Sequence, residues 1–350
     1  MALAVIAASA CTSVDVPEHP DAISLVPVAE VAGLKSVSGP VSSYSPDESF
    51  VVYAYHSTTS SENQSWTEFY GDGSGVKSWI DAGRFASQGA GSWGGSPNAY
   101  YWPKTGHLMF AGFSPADIVS EAAPGQARAL AAAYNLEATS PAFALTGFQQ
   151  GNYSSAEKDN KMVDLMWFNI NDNGSKPVNN SISGAKVPVV FHHSLAWLTF
   201  NFKAAQSNSE KFYLVSATLN KINSKGDLVA TTNGAAWSNL SEPQDYALYN
   251  TSASGTLLDG AGVTADNLLV LPADFTSAAQ GTYALTLKFK QGSDNQLEQT
   301  VSFALNSLAQ KSWEAGKHYT YNVTLSVSPI ILEPSVDAWP QISGGDISAN

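Results

Sequence analysis

Apolar and polar residues alternate with a period of two along much of the chain. Tyr283, Leu285, Leu287 and Phe289 are interleaved with Ala284, Thr286 and Lys288, and Val301, Phe303 and Leu305 with Ser302 and Ala304. Tyr319, Tyr321, Val323, Leu325 and Val327 alternate with Thr320, Asn322, Thr324 and Ser326. Ala196, Leu198, Phe200 and Phe202 share one side of another run whose other side carries Trp197 and Thr199. Successive side chains of a strand point to opposite faces, so each run predicts a β-strand with one apolar face. Two sheets of such strands can share a core. One segment departs from this period. The Ala-rich run from Gln126 to Leu136, with Pro124 suited to a first turn, predicts a short helix in the N-terminal domain. Asp72-Gly73, Asn173-Gly174, Lys225-Gly226, Asn233-Gly234 and Asp259-Gly260 predict turns, and Gly89 to Ser96 a surface loop.

Many short strands between such turns predict an all-β protein of two antiparallel β-sandwich domains. The polar stretch from Asn169 to Lys186 separates them, with a new strand starting at Val187. The expected division is an N-terminal sandwich over 36–186, a C-terminal sandwich over 187–340 and a polar tail over 341–350. No period of roughly 20–50 residues recurs, which excludes solenoids and propellers.

Composition narrows the function. Lys and Arg number 17 against 30 Asp and Glu, a net charge of −13, and only 13% of residues are charged. A chain this acidic cannot neutralise a run of phosphates, so no nucleic-acid partner is expected. The single cysteine excludes an internal disulfide framework, a cysteine-based zinc site and a CxxC redox pair. That cysteine, Cys11, follows ten small or apolar residues and precedes a polar stretch. Residues 1–10 read as the remnant of a secretory signal peptide, and Ala8-Ser9-Ala10-Cys11 as a lipobox that would place acyl chains on the Cys11 thiol.

Six segments then occur in one order: Phe50 to Tyr55, Tyr100 to Pro115, Val163 to Trp167, Val187 to Leu195, Trp313 to Tyr321, and Ile331 to Trp339. Together they resemble the fimbrillin family of Bacteroidetes, the Mfa-like lipoproteins of type V pili. Gly112 departs from the family pattern, which carries a small or aromatic strand residue there. The resemblance implies two transthyretin-like sandwiches, export as a lipoprotein to the outer membrane, and assembly with other fimbrial subunits into a fibre that serves cell adhesion. It also implies that a protease removes the first strand and that a neighbour's C-terminal strand fills the groove left behind.

Lys35 is the sole Lys or Arg before Lys77. A cut between Lys35 and Ser36 would therefore remove a segment over 11–35 that carries Ala22 to Leu25. A solvated linker charge is the other reading of Lys35. The donor candidate is the stretch from Pro329 to Pro340, with Ile330, Leu332 and Val336 on one side and Trp339 near its end. A plain edge strand accounts for the same pattern.

Motifs for catalysis are missing: there is no HExxH, P-loop or GxSxG. His192 and His193 are strand neighbours, so their side chains diverge and cannot chelate one metal. Asn169, Asn171 and Asn173 copy the spacing of a calcium loop, but Asn180 stands where a bidentate Glu belongs. No cofactor and no metal are expected. A second class of function stays open, a surface glycan-binding lipoprotein whose exposed tryptophans stack on sugar rings. Trp66 and Trp93 are the candidates from the set Trp66, Trp79, Trp93 and Trp102.

Overall fold

The computed structural model describes residues 22–29, 44–58, 65, 68–69, 71, 75–119, 127–135, 142–154, 159–160, 162–169, 177–179, 186–205, 210–231, 234–276, 283–292, 297–308, 310–326 and 331–338. Among these the architecture is almost wholly β. The first half of the chain contributes β1 (Ser24–Ala29), β2 (Ser49–Ser57), β3 (Val76–Gly89), β4 (Ser92–Gly95) and β5 (His107–Ser114). These are followed by β6 (Ala131–Asn135), β7 (Ala142–Gln149), β8 (Tyr153–Ser154), β9 (Asp159–Asn160), β10 (Met166–Asn169), β11 (Val178–Asn179) and β12 (Val187–His193).

Eight of these strands form one sheet in the order β10-β12-β1-β4-β3-β2-β5-β11. β5 also pairs with β10, from Met166 opposite Ser114 to Asn169 opposite Ala111, so the sheet closes on itself. Inside the ring, Phe50 lies within 5.9 Å of Phe85 and Phe168 and 5.3 Å from Phe191, centroid to centroid. Gly112 is explained here. It stands opposite Phe168, and a Cβ at that position would collide with the Val51 carbonyl and the Phe168 ring. The departure from the family pattern is thus a close approach of backbone to an aromatic ring.

The remaining strands are β13 (Ala196–Ala204), β14 (Phe212–Thr231), β15 (Gly234–Asn250), β16 (Thr256–Leu258), β17 (Val263–Thr264), β18 (Leu268–Val270), β19 (Ala273–Asp274), β20 (Ala284–Gln291), β21 (Leu297–Ala304), β22 (Ser312–Trp313), β23 (Lys317–Leu325) and β24 (Ile331–Ala338). One sheet runs β17-β13-β23-β24, and a second runs β21-β20-β14-β15-β8-β9. The period-two runs fall on β13, β20, β21 and β23. In β23 Tyr319, Tyr321, Val323 and Leu325 are buried while the intervening residues are half-buried. Phe200 stacks on Tyr321 at 4.9 Å in the core between the sheets.

Three expectations are corrected. The Ala-rich run is not a helix: Ala131–Asn135 is β6, antiparallel to β7 in the register Ala131 to Thr146 through Asn135 to Ala142. Helix propensity separates ordinary residues by at most ~0.7 kcal/mol each, whereas burying one large side chain gives ~1.5–3 kcal/mol. Tyr134 supplies that burial, sitting 5.3 Å from Tyr55 and 6.4 Å from Tyr53. Lys225-Gly226 is not a turn but an irregularity inside the long β14, where the register shifts. Finally, β12 is a strand of the first sheet although it lies beyond residue 186, and the sheet changes only at Ser194 and Leu195. The β6–β7 hairpin also crosses the expected boundary, since β7 pairs with β14 from Lys225 to Thr231. Phe143 of β7 stacks on Phe113 of β5 at 5.1 Å, so both halves share one continuous core.

Candidate functional site

The feature that could carry a function is the place of β1 in the ring. Among the described strands, β1 is the one that pairs with both β12 and β4, which do not pair with each other. β1 runs parallel to β12, with Leu25 opposite Val187, Pro27 opposite Val189 and Ala29 opposite Phe191. It runs antiparallel to β4 for just two residues, Ser24 opposite Gly94 and Leu25 opposite Trp93. Ile23 and Leu25 are fully buried, and the Ile23 amide donates to the Tyr100 carbonyl at 2.7 Å. Pro27 has no amide proton, which the ladder tolerates because pairing to β4 has ended by that point. Removing β1 would leave a slot one strand wide between β12 and β4.

Aromatic side chains line that slot. Tyr44 stacks on Phe191 at 5.2 Å and meets Trp93 edge-on at 5.4 Å. Its hydroxyl shares a 2.6 Å hydrogen bond with Ser114 Oγ, and burial pushes the phenol pKa well above its ordinary value. Trp93 is 5% exposed and donates its indole N–H to the Glu48 carbonyl at 3.2 Å. It is a wall of the slot and cannot be an exposed sugar platform, which corrects the expectation that its Gly-rich loop would expose it. The reason is that Ser92–Gly95 is itself a strand of the ring.

Lys35 and Ser36 lie outside the described residues, as do Cys11 and Trp66. Residues 30–43 connect β1 to Tyr44 and β2 along the chain, so a cut among them would separate β1 from everything that follows. Of the donor candidates, Ile330 and Trp339 lie outside the described residues, while Leu332 and Val336 belong to β24. Among the described residues this strand is the sheet edge and pairs with β23 alone, from Thr324 opposite Ile331 to Lys317 opposite Ala338. Ile331 and Val336 are 44% and 42% exposed, and only Leu332 packs partly against the core. An apolar edge strand held on one side is the kind of surface that recruits another chain.

The matching family model covers residues 43–339, and its description is fimbrillin-like. The chain belongs to the fimbrillin-like family. No curated protein sequence matches it. Among solved structures, a fimbrial protein of Bacteroides vulgatus aligns over 83% of this chain and 92% of its own, at 14% identity and a TM-score of 0.54. A candidate cell adhesion protein of Bacteroides uniformis aligns over 91% and 98%, at 16% identity and a TM-score of 0.50. At such identities the likeness is one of fold. Membership in a family of structural and adhesion proteins makes this fimbrillin-like chain a surface fimbrial type of protein and not an enzyme.

The histidine pair of this fimbrillin-like chain has packing roles. His193 is buried and its Nδ1–H donates to Asp164 Oδ1 at 2.9 Å, joining β12 to the segment before β10. His192 faces the other way, with its ring 4.8 Å from Trp167. Both histidines border a cavity of about 740 Å³ at the meeting of the two halves, which is also lined by Trp237, Asp274, Glu314 and Lys317. Among the described residues no three His, Cys, Asp or Glu side chains group as a metal site. The exposed aromatic the sequence did not single out is Trp79, 41% exposed, whose indole N–H donates to the Tyr101 carbonyl at 2.9 Å beside a 43% exposed Tyr101 ring.

Proposed function

We propose that this fimbrillin-like chain is a structural subunit of a type V fimbria, as stalk, tip or anchor, that serves cell adhesion. It is exported as a lipoprotein through Cys11 to the outer membrane and joins its neighbours by strand exchange after cleavage between Lys35 and Ser36. The observation that supports this reading best is the position of β1: a short strand that completes a ring and is tied to the rest of the chain through residues 30–43. Its backbone ladder supplies binding strength, and the alternate pockets that hold Ile23 and Leu25 supply register. Several acyl chains, at ~0.8 kcal/mol per buried methylene, hold the precursor on a bilayer until cleavage releases it. Electron microscopy of cells with and without the chain tests the fibre: its loss should shorten, detach or abolish fimbriae. The variant Lys35→Ala should leave uncleaved, lipid-anchored monomer, and fibres of normal length in that variant would overturn the processing step.

A second reading, surface glycan binding, draws on the exposed pair Trp79 and Tyr101. Binding on a glycan array that disappears in Trp79→Ala supports it, and a flat array ends it.

A further inference from the structure

The two strands that strand exchange would substitute for one another carry the same short pattern. Ile23-Ser24-Leu25-Val26-Pro27 and Ile330-Ile331-Leu332-Glu333-Pro334 both read Ile, any residue, Leu, any residue, Pro. In the first, the structure gives each position a meaning. Ile23 and Leu25 point into the ring and are fully buried, and Pro27 sits just past the end of pairing with β4. In the second, Ile331 to Pro334 lie on an edge strand where Leu332 is only partly covered.

We propose, resting on the strand-exchange reading above, that β24 of one copy enters the slot of a second copy in a single register. In it Leu332 takes the place of Leu25, Pro334 that of Pro27 and Ile330 that of Ile23. Three physical facts select it. A slip by one residue turns Leu332 out of the core. A slip by two toward the strand start puts Pro334 where Leu25 pairs on both sides, deleting a ladder hydrogen bond in mid-sheet. In the matched register Ile331 falls on Ser24, whose buried hydroxyl has no hydrogen-bond partner among the described residues. The resident strand therefore carries a desolvated, unsatisfied group that the incoming strand lacks, which biases the exchange toward the donor. Glu333 and Ser335 then fall on Val26 and Val28, opposite Pro188 and Val190 of β12, both exposed.

Disulfide trapping tests the register. A specific protease site is placed at the Lys35–Ser36 junction of the full chain. The cleaved product that retains both strand partners then has no native cysteine, because Cys11 lies in the removed segment. Ser335→Cys is combined with Val190→Cys, which faces it in the matched register, or with Pro188→Cys, which faces it after a two-residue slip. After cleavage and oxidation, the first pair should give a ladder of covalent oligomers on a non-reducing gel, at least tenfold stronger than the second. A ladder from the Pro188 pair of equal or greater strength overturns the register, as does polymer that neither pair cross-links, while strand exchange itself stands. Covalent monomer without a ladder means that a chain fills its own slot and overturns the proposal. Absence of any polymer after cleavage sinks the exchange reading on which the register rests.

Discussion

Leu25→Ala in the uncleaved chain is the most direct probe of how firmly β1 is held. The side chain is fully buried, with Val187 on one side and Trp93 on the other. Truncation removes three carbons, worth ~2.4 kcal/mol at ~0.8 kcal/mol per methylene. The unfilled cavity raises the cost toward ~5 kcal/mol, because a ring walled by Trp93, Tyr44 and Phe191 collapses poorly around a missing side chain. If β1 opens as a unit, the whole loss appears in the opening equilibrium, and amides of β12 should exchange with solvent at least ~50-fold faster, the factor for ~2.4 kcal/mol alone, since ~1.4 kcal/mol is a factor of ten. Hydrogen exchange read by mass spectrometry on peptides spanning 187–193 measures this. Leu332→Ala is the internal control: it sits partly covered on the edge strand, costs under ~1 kcal/mol in the monomer, and should leave β12 unchanged. An increase below about threefold for a folded Leu25→Ala chain would refute the idea that this side chain anchors β1 in the slot.

Other outcomes follow from the same packing. Gly112→Ala should destabilise the fold by ~1–3 kcal/mol, seen as a lower denaturant midpoint, because its Cβ meets the Val51 carbonyl and the Phe168 ring; an unchanged midpoint would contradict this account. Ser24→Ala should stabilise the uncleaved chain by about 1 kcal/mol by removing a buried hydroxyl that has no partner among the described residues, and slower strand loss after cleavage should accompany it. His318 stacks on Trp197 at 3.6 Å, and burial holds its pKa below the ordinary 6.5 although Asp337 opposes this in part. The unfolded chain therefore binds the proton more readily. Stability from this group is complete above pH 6.5 and is lost as pH falls toward the depressed value, so His318→Asn should flatten the denaturant midpoint across that window.

The alternation of apolar residues was enough to place β13, β20, β21 and β23, because one buried face per strand is a local property of the chain. The order of motifs was likewise enough to point to the fimbrillin family, and it is that family which makes the chain a fimbrial type of protein and not an enzyme. Sequence alone misjudged the places where a distant partner outweighs local preference. The Ala-rich run became β6 because β7 and the tyrosines Tyr53 and Tyr55 were there to receive it. Lys225-Gly226 stayed in an extended strand because β7 and β15 hold β14 from both sides. Trp93, in a glycine-rich stretch that reads as a loop, is buried because β4 completes the ring beside β1.

What the chain determined by itself was which residues face a core and which face solvent, since a strand's two faces are written in every second residue. Which strands meet was decided only in three dimensions. Val187–His193 lies far from Ser24–Ala29 along the chain, yet their parallel ladder is what makes β1 the closing element of the ring. Hydrophobic burial is non-directional and cannot name a partner by itself. The choice came from register, from the proline that ends pairing on one side, and from the ring that only a strand in that slot can close.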